Sequence, residues 1–172
     1  MQPPAREALA VARKSAVHLE MRDSYMRDDP SFIGWQRGHR PDRADRGSWW
    51  LSWHDVVSAA VARGVTVRRA RIVSEPISDY VRYEYDGTFA NLAAGELVRW
   101  LPRRQTRDLA LPGMDFWLFD DETVLFHHFT GEGQLDVDGR EYVTDNVLAE
   151  RCGSAFESVW ERAIPHERYR PR

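Results

Sequence analysis

The chain has 172 residues and a mass of 20.0 kDa, is 42% hydrophobic and 30% charged, and carries a formal net charge of −3. That is one domain's worth of chain with enough apolar area to offset chain entropy, and its acidic balance disfavours autonomous nucleic-acid binding. A single cysteine, Cys152, excludes an internal disulfide and a multi-cysteine zinc site, and a single lysine, Lys14, confines lysine chemistry to one place while arginine forks remain available in many.

No run approaches the roughly 18 apolar residues of a membrane helix, and the first residues lack the basic-then-apolar order of a signal peptide. A cytoplasmic protein with no membrane partner is expected. Between residues 63 and 107 nine arginines face five acids, whereas between 108 and 161 two arginines face thirteen acids. The two halves are expected to neutralise one another across one fold; the sharper alternative is an acidic face that docks on a basic partner.

Residues 5–22 are helix formers with Leu9, Ala12, Ala16, Val17 and Leu19 as a loose apolar stripe, and are predicted as one helix. Residues 28–48 carry Pro30, Gly34, Gly38, Pro41 and Gly47 among alternating charges and read as loop, anchored by Phe32 and Trp35. Ser52 is the expected N-cap of a helix over 52–63, which Gly64 stops. Trp49, Trp50 and Trp53 around that start are expected to pack rather than to form an exposed platform. The β-branched run 65–74 follows as a strand ending before Pro76.

A second helix is expected over 78–94, broken near Gly87, then a short strand over 98–101 closed by Pro102. Residues 115–119 and 123–129 read as a hairpin across the acidic turn Asp120, Asp121, Glu122, and 131–144 as a further irregular hairpin. The last helix, over 145–163, presents Val147, Leu148, Cys152, Phe156, Val159, Trp160 and Ala163 on a wide apolar face, with Cys152 a buried thiol. This order predicts an α/β fold, a mixed sheet flanked by helices, in a single domain over 1–172 with an N-terminal helix and loop (1–50) and an α/β core (51–172).

The run ARGVTVRRARIV, then AGELVRWLP, then DFWLFDDETVLFHHFTGEG and a closing amphipathic helix resembles the element order of half a phospholipase-D fold. Such enzymes carry the signature His-x-Lys-x-x-x-x-Asp, with His as nucleophile and Lys binding the phosphate. With Asp120 in the place of that aspartate, the His and Lys positions fall on Gly113 and Asp115; with Asp121 they fall on Met114 and Phe116. Neither register supplies a nucleophile or a cation, and a carboxylate repels phosphate in a poorly solvated site.

The stretches RGVTVRRARIVSEPISDYVRYEY, AGELVRWLPR, PGMDFWLFDD and AFESVWERAIPHERY are in turn similar to an uncharacterised actinobacterial family. That resemblance implies a gene neighbourhood with helix-turn-helix regulators of the XRE type, and hence a regulatory role.

SEPISDYVRYEY leaves a strand end, the usual place for a pocket in an α/β sheet, which nominates Glu75, Asp79, Tyr80 and Arg82. With Ser78 as cap, the helix amides and the Arg82 fork could hold an anion; the plainer alternative pairs Arg82 with Asp79 or Asp115. Asp115, Trp117, His128 and Thr130 alternate on strands that line the groove the phospholipase-D resemblance implies. Asp115, set among Phe116, Trp117 and Phe119, needs a partner or an unusual pKa. His127 and His128 are predicted on opposite strand faces, which prevents joint ligation of one metal.

No Gly-x-Ser-x-Gly elbow, Gly-x-x-x-x-Gly-Lys loop or His-Glu-x-x-His helix occurs in the chain. The expectation is therefore a non-catalytic regulatory domain that binds a helix-turn-helix regulator, with no cofactor, metal or direct nucleic-acid contact and with a homodimer left open. The alternatives are a sensor of a small anionic ligand, and a phosphodiesterase or nuclease using His128 as nucleophile or base and Arg82 for phosphate.

Overall fold

The computed structural model describes residues 4–172; residues 1–3 of the expected N-terminal segment lie outside the described residues. In chain order the elements are α1 (Ala5–Val11), β1 (Ser15–Glu20), α2 (Pro30–Gln36), α3 (Ser52–Ala62), β2 (Thr66–Val73), α4 (Asp79–Ala93) and β3 (Leu97–Pro102). They continue as β4 (Asp115–Phe119), β5 (Thr123–Phe129), β6 (Leu135–Val143), α5 (Asn146–Arg162) and β7 (Ile164–Pro165), with 3-10 turns at Arg46–Ser48 and Arg103–Thr106. The strands form one mixed sheet in the order β6-β5-β4-β1-β2-β3-β7, in which β1, β2 and β3 run parallel and the other pairings are antiparallel. No helix among the described residues is long and apolar enough to cross a membrane.

The main departure from the sequence reading is β1. The stretch predicted as one helix over 5–22 leaves α1 at Ala12, where ψ turns to 144°, and re-enters as the central strand of the sheet. Every residue from Ala16 to Glu20 is buried, and a helix there would leave the facing edges of β2 and β4 unpaired. The turn that redirects the chain is held from a distance: Asp120 accepts the backbone N–H groups of Arg13 (3.0 Å), Lys14 (2.7 Å) and Ser15 (3.1 Å). Asp120 and Asp121 themselves sit at φ 54° and 61°, the left-handed turn that joins β4 to β5 and that aspartate tolerates. One acidic turn thus closes a hairpin and registers the N-terminal strand beside it.

Smaller departures have local reasons. Asp29 caps α2 by accepting from Ser31 and Phe32, with Pro30 in the first turn, so the predicted loop holds a helix that buries Phe32. Leu51, not Ser52, is the cap residue of α3, and its N–H donates to His54 Nδ1 at 2.9 Å. α4 runs unbroken through Gly87, because the next residue, Thr88, is fully buried and its hydroxyl bonds both the Glu84 carbonyl (2.7 Å) and Arg71 (3.0 Å). Residues 131–144 do not form their own hairpin; β6 is the second arm of a hairpin with β5.

Two layers of packing cover the sheet. On one face Val17, Leu19, Ala70, Ile72, Phe116, Leu118, Val124 and Phe126 meet Cys152, Phe156, Val159 and Trp160 of α5. On the other, Ala16, Val67, Trp117 and Leu125 meet α1 and α3, while Val73, Val98 and Trp100 meet Val81 of α4. The two charge halves do not neutralise one another as expected. Arg68–Glu157 is the one ion pair between them among the described residues, because Arg69 and Arg71 pair inward with Glu20, Glu84 and Glu96, and Arg103 and Arg104 pair with Asp23 and Glu75. Exposed acids of the second half, such as Asp121, Glu132, Asp136, Asp138 and Glu150, are left to solvent.

Candidate functional site

Side chains alternate across a strand, and the register of the four central strands keeps one set of polar residues in phase. His18 lies opposite Arg69 on β2 and Trp117 on β4, Glu20 opposite Arg71, and Asp115 opposite His127 on β5. All point to the face that α3 and α4 cover.

Glu20 is the hub. Its carboxylate takes Arg69 Nη1 at 2.6 Å and the Nε of Arg71, while Arg69 Nε reaches Glu96 at 2.7 Å. Arg71 also donates to Thr88 and lies 3.6 Å from Glu84 on α4. Glu96 is completed by Asn91 at 2.7 Å. Burial pushes Glu20 up, but the two guanidiniums outweigh it and hold the carboxyl well below the usual range. Both arginines are thereby fully committed.

A cavity of about 270 Å³ opens beside this network, lined by His18, Glu20, Tyr25, Met26, Tyr80, Glu84, Asp115, His127, Phe129, Leu135 and Arg140. Asp115 accepts the Met21 N–H at 2.8 Å and the Tyr25 hydroxyl, but has no ion-pair partner among the described residues. Burial raises it to about 6, against the pull of the Tyr25 hydrogen bond. Burial likewise raises Glu84 to about 8, opposed by Arg71 and reinforced by Glu20.

The two histidines are kept neutral. Burial and the nearby guanidiniums hold His18 well below its ordinary value despite Glu20. Burial, with Arg140, lowers His127 to about 4. His18 stacks on Trp117 with centroids 4.2 Å apart, and its Nδ1, buried and 3.5 Å from Glu20, has no hydrogen-bond partner.

Of the residues nominated from sequence, Asp115 and Tyr80 line the cavity and Trp117 supports its His18 wall. His128 does not: it is on the opposite face, 2.8 Å from Glu141, because the Asp115–His127 register puts the neighbouring histidine inward. Glu75 sits elsewhere, bonded to Arg104 (3.1 Å) and the Tyr169 hydroxyl (3.0 Å), at a second cavity of about 420 Å³. Asp79 is exposed in the first turn of α4. Arg82 lines neither cavity and pairs with neither Asp79 nor Asp115. Ser78 caps α4 as expected, accepting from Val81 and donating to the Asp23 carbonyl, so the geometry gathers no anion clamp there.

Sequence reasoning missed His18, Glu20, Tyr25, Glu84, His127 and Arg140. The alternation Ala16, His18, Glu20 against Val17, Leu19 was the available signal for β1, and the left-handed Asp120-Asp121 turn was the signal that His127 faces inward.

The fold has solved counterparts. The phospholipase-D family member Nuc from Salmonella typhimurium shares it at 14% identity with a TM-score of 0.51, over 96% of this chain and 88% of that one. NucT from Helicobacter pylori does so at 12% identity and TM-score 0.52, over 93% and 87%. The archaeal chromatin protein TrmBL2 aligns at 15% identity and TM-score 0.47 over 92% of this chain, which spans 48% of that one, about half its length. No curated protein matches the sequence. The fold is therefore phospholipase-D-like, and since the profile described as "Domain of unknown function (DUF6879)" matches residues 4–171, the chain belongs to that family.

Proposed function

We propose that the chain is a non-catalytic ligand-binding domain acting in regulation, which takes a small ligand in the cavity over Asp115. The observation that carries this reading is the charge at the cavity floor. With Asp120 as the signature aspartate, the spacing puts Asp115 where the phosphate-binding lysine would stand, and Asp115 does line the cavity, whereas Phe116 of the alternative register does not. The arginines behind it are spent on Glu20 and Glu96, leaving Arg140 as the one lining cation. A phosphodiester entering there meets carboxylates, whereas a ligand bound for its own sake meets a preformed, partly apolar pocket with an unpartnered His18 nitrogen. The helix-turn-helix regulator expected from the family resemblance is the proposed output partner, and the exposed acids of the second half are the surface that supports it.

The rival reading is a phosphodiesterase with a rearranged site. Nuc is a phospholipase-D family member, and two neutral imidazoles, His18 and His127, stand here with centroids 6.0 Å apart over one cavity. Turnover of bis(4-nitrophenyl) phosphate and of single-stranded DNA by the wild type and by His18→Ala/His127→Ala separates the readings. Equal, background rates are expected; a wild-type rate that the double variant loses would overturn the proposal.

A further inference from the structure

We propose that the ligand of this cavity is a small organic cation, an alkylammonium or guanidinium group carried on a short apolar body. The inference rests on the cavity being a ligand site and adds the ligand's charge.

Three carboxyl groups, from Glu20, Glu84 and Asp115, face one space of about 270 Å³. Glu20 and Glu96 between them balance Arg69 and Arg71, which leaves Asp115 with a hydroxyl and a backbone N–H but no cation, and Glu84 with Arg71 only at 3.6 Å. Against these stand Arg140, the one cation of the lining, which acts on His127, and Arg22, which lies over Phe129 and acts on Asp115 without forming an ion pair with it. Neutral His18 is 6% exposed, and its Nδ1, 3.5 Å from Glu20, is a buried nitrogen with no hydrogen-bond partner in the cavity wall; His127, also neutral, stands beside it.

The walls are aromatic. Tyr80 lies 5.8 Å from Tyr25 and Tyr25 5.3 Å from Phe129, a continuous surface from α4 to β5. Aromatic faces next to carboxylates attract a desolvated cation and offer little to an anion. A metal ion fits less well, since no three His, Cys, Asp or Glu side chains among the described residues are arranged to ligate one. Burial holds protons on Glu84 and partly on Asp115, and an entering positive charge would displace them, so binding near neutral pH should release protons.

The test is a heteronuclear NMR titration of the intact chain, following the imidazole signals of His18 and His127. The probes are methylguanidinium and butylammonium at millimolar concentration, set against inorganic phosphate and butyrate. Saturable shifts of both imidazoles with the cations alone are expected, weakened about tenfold in Asp115→Asn or Glu84→Gln, the loss of one charge-assisted contact. If the anions shift the imidazoles and the cations do not, the cavity binds ligands but this inference is wrong. If the cations bind the amide variants as tightly as the wild type, it is also wrong. If neither class of probe acts on the wild type, the ligand-site reading falls with it. The contrast between cations and anions on the wild type decides the matter even where a variant does not fold.

Discussion

The two faces of the central sheet are built from alternate residues of the same strands and differ in almost every respect. Toward α5, Leu19, Ala70, Ile72, Phe116 and Phe126 pack on Phe156 and Trp160, with Arg68, paired to Glu157, over both rings and Arg99 over Trp160. Toward α4, the neighbours of those same residues are His18, Glu20, Arg69, Arg71, Asp115 and His127. The first face is what stability alone would select. The second retains buried charges that apolar residues of similar volume would often match or better in stability, and the proposed binding role would account for their being kept.

The largest effects come from breaking each face in its own way. Phe156→Ala removes a fully buried ring and should cost about 3–5 kcal/mol in urea denaturation, with no rescue from a second change nearby. Glu20→Ala should cost a similar ~3–5 kcal/mol because it strands two buried guanidiniums. Replacing Glu20, Arg69, Arg71 and Glu96 together by apolar residues should recover most of that loss while abolishing binding. A fourfold variant no more stable than Glu20→Ala would mean that the charged face is structural.

The pH dependence of stability comes next in size. Folding raises Asp115 to about 6, so the native state holds a proton that the unfolded chain has already released. That contribution is complete below the ordinary value of 3.8, is lost as pH rises through 6, and amounts to about 3 kcal/mol. Glu84 repeats the pattern up to about 8. The histidines act in the opposite sense: His18 and His127 resist protonation when folded, so they remove stability as pH falls below their ordinary 6.5. Stability should therefore be greatest near pH 6.5; Glu84→Gln should flatten the fall above it, and Asp115→Asn should remove the fall between about 4 and about 6. Unchanged slopes in both windows, in chemical-denaturation curves at successive pH values, would contradict this account of the cavity.

The smallest effect separates the adjacent histidines. His128→Ala, whose ring pairs with an exposed Glu141, should change stability by no more than about 0.5 kcal/mol and leave ligand binding intact, whereas His127→Ala should weaken it.

The legibility of these features in the sequence follows the same division. The α5 face was readable, because Phe156, Val159 and Trp160 repeat at helical spacing and helix, glycine and strand recur at Gly64 and Gly95, both at positive φ. The charged face was not. Its first strand depends on a carboxylate over a hundred residues away, Asp120, whose grip on residues 13–15 overrides the helix propensity of the N-terminal segment. Without β1, His18 and Glu20 have no place, and Arg69 and Arg71 read as surface charge in a strand that is in fact buried on both faces. Asp115 could be singled out because an aspartate among aromatic residues demands an explanation. Its cavity neighbours come from four separate elements, which no local pattern connects.

The central claim is that the cavity over Asp115 is a ligand site. A thermal-shift comparison of wild type and Asp115→Asn against a panel of polar metabolites tests it most directly. At a concentration of about 100 Kd, a compound should raise the wild-type Tm by roughly 5–10 °C and the variant's far less. Compounds that stabilise both proteins equally, or none that stabilises the wild type, would contradict it.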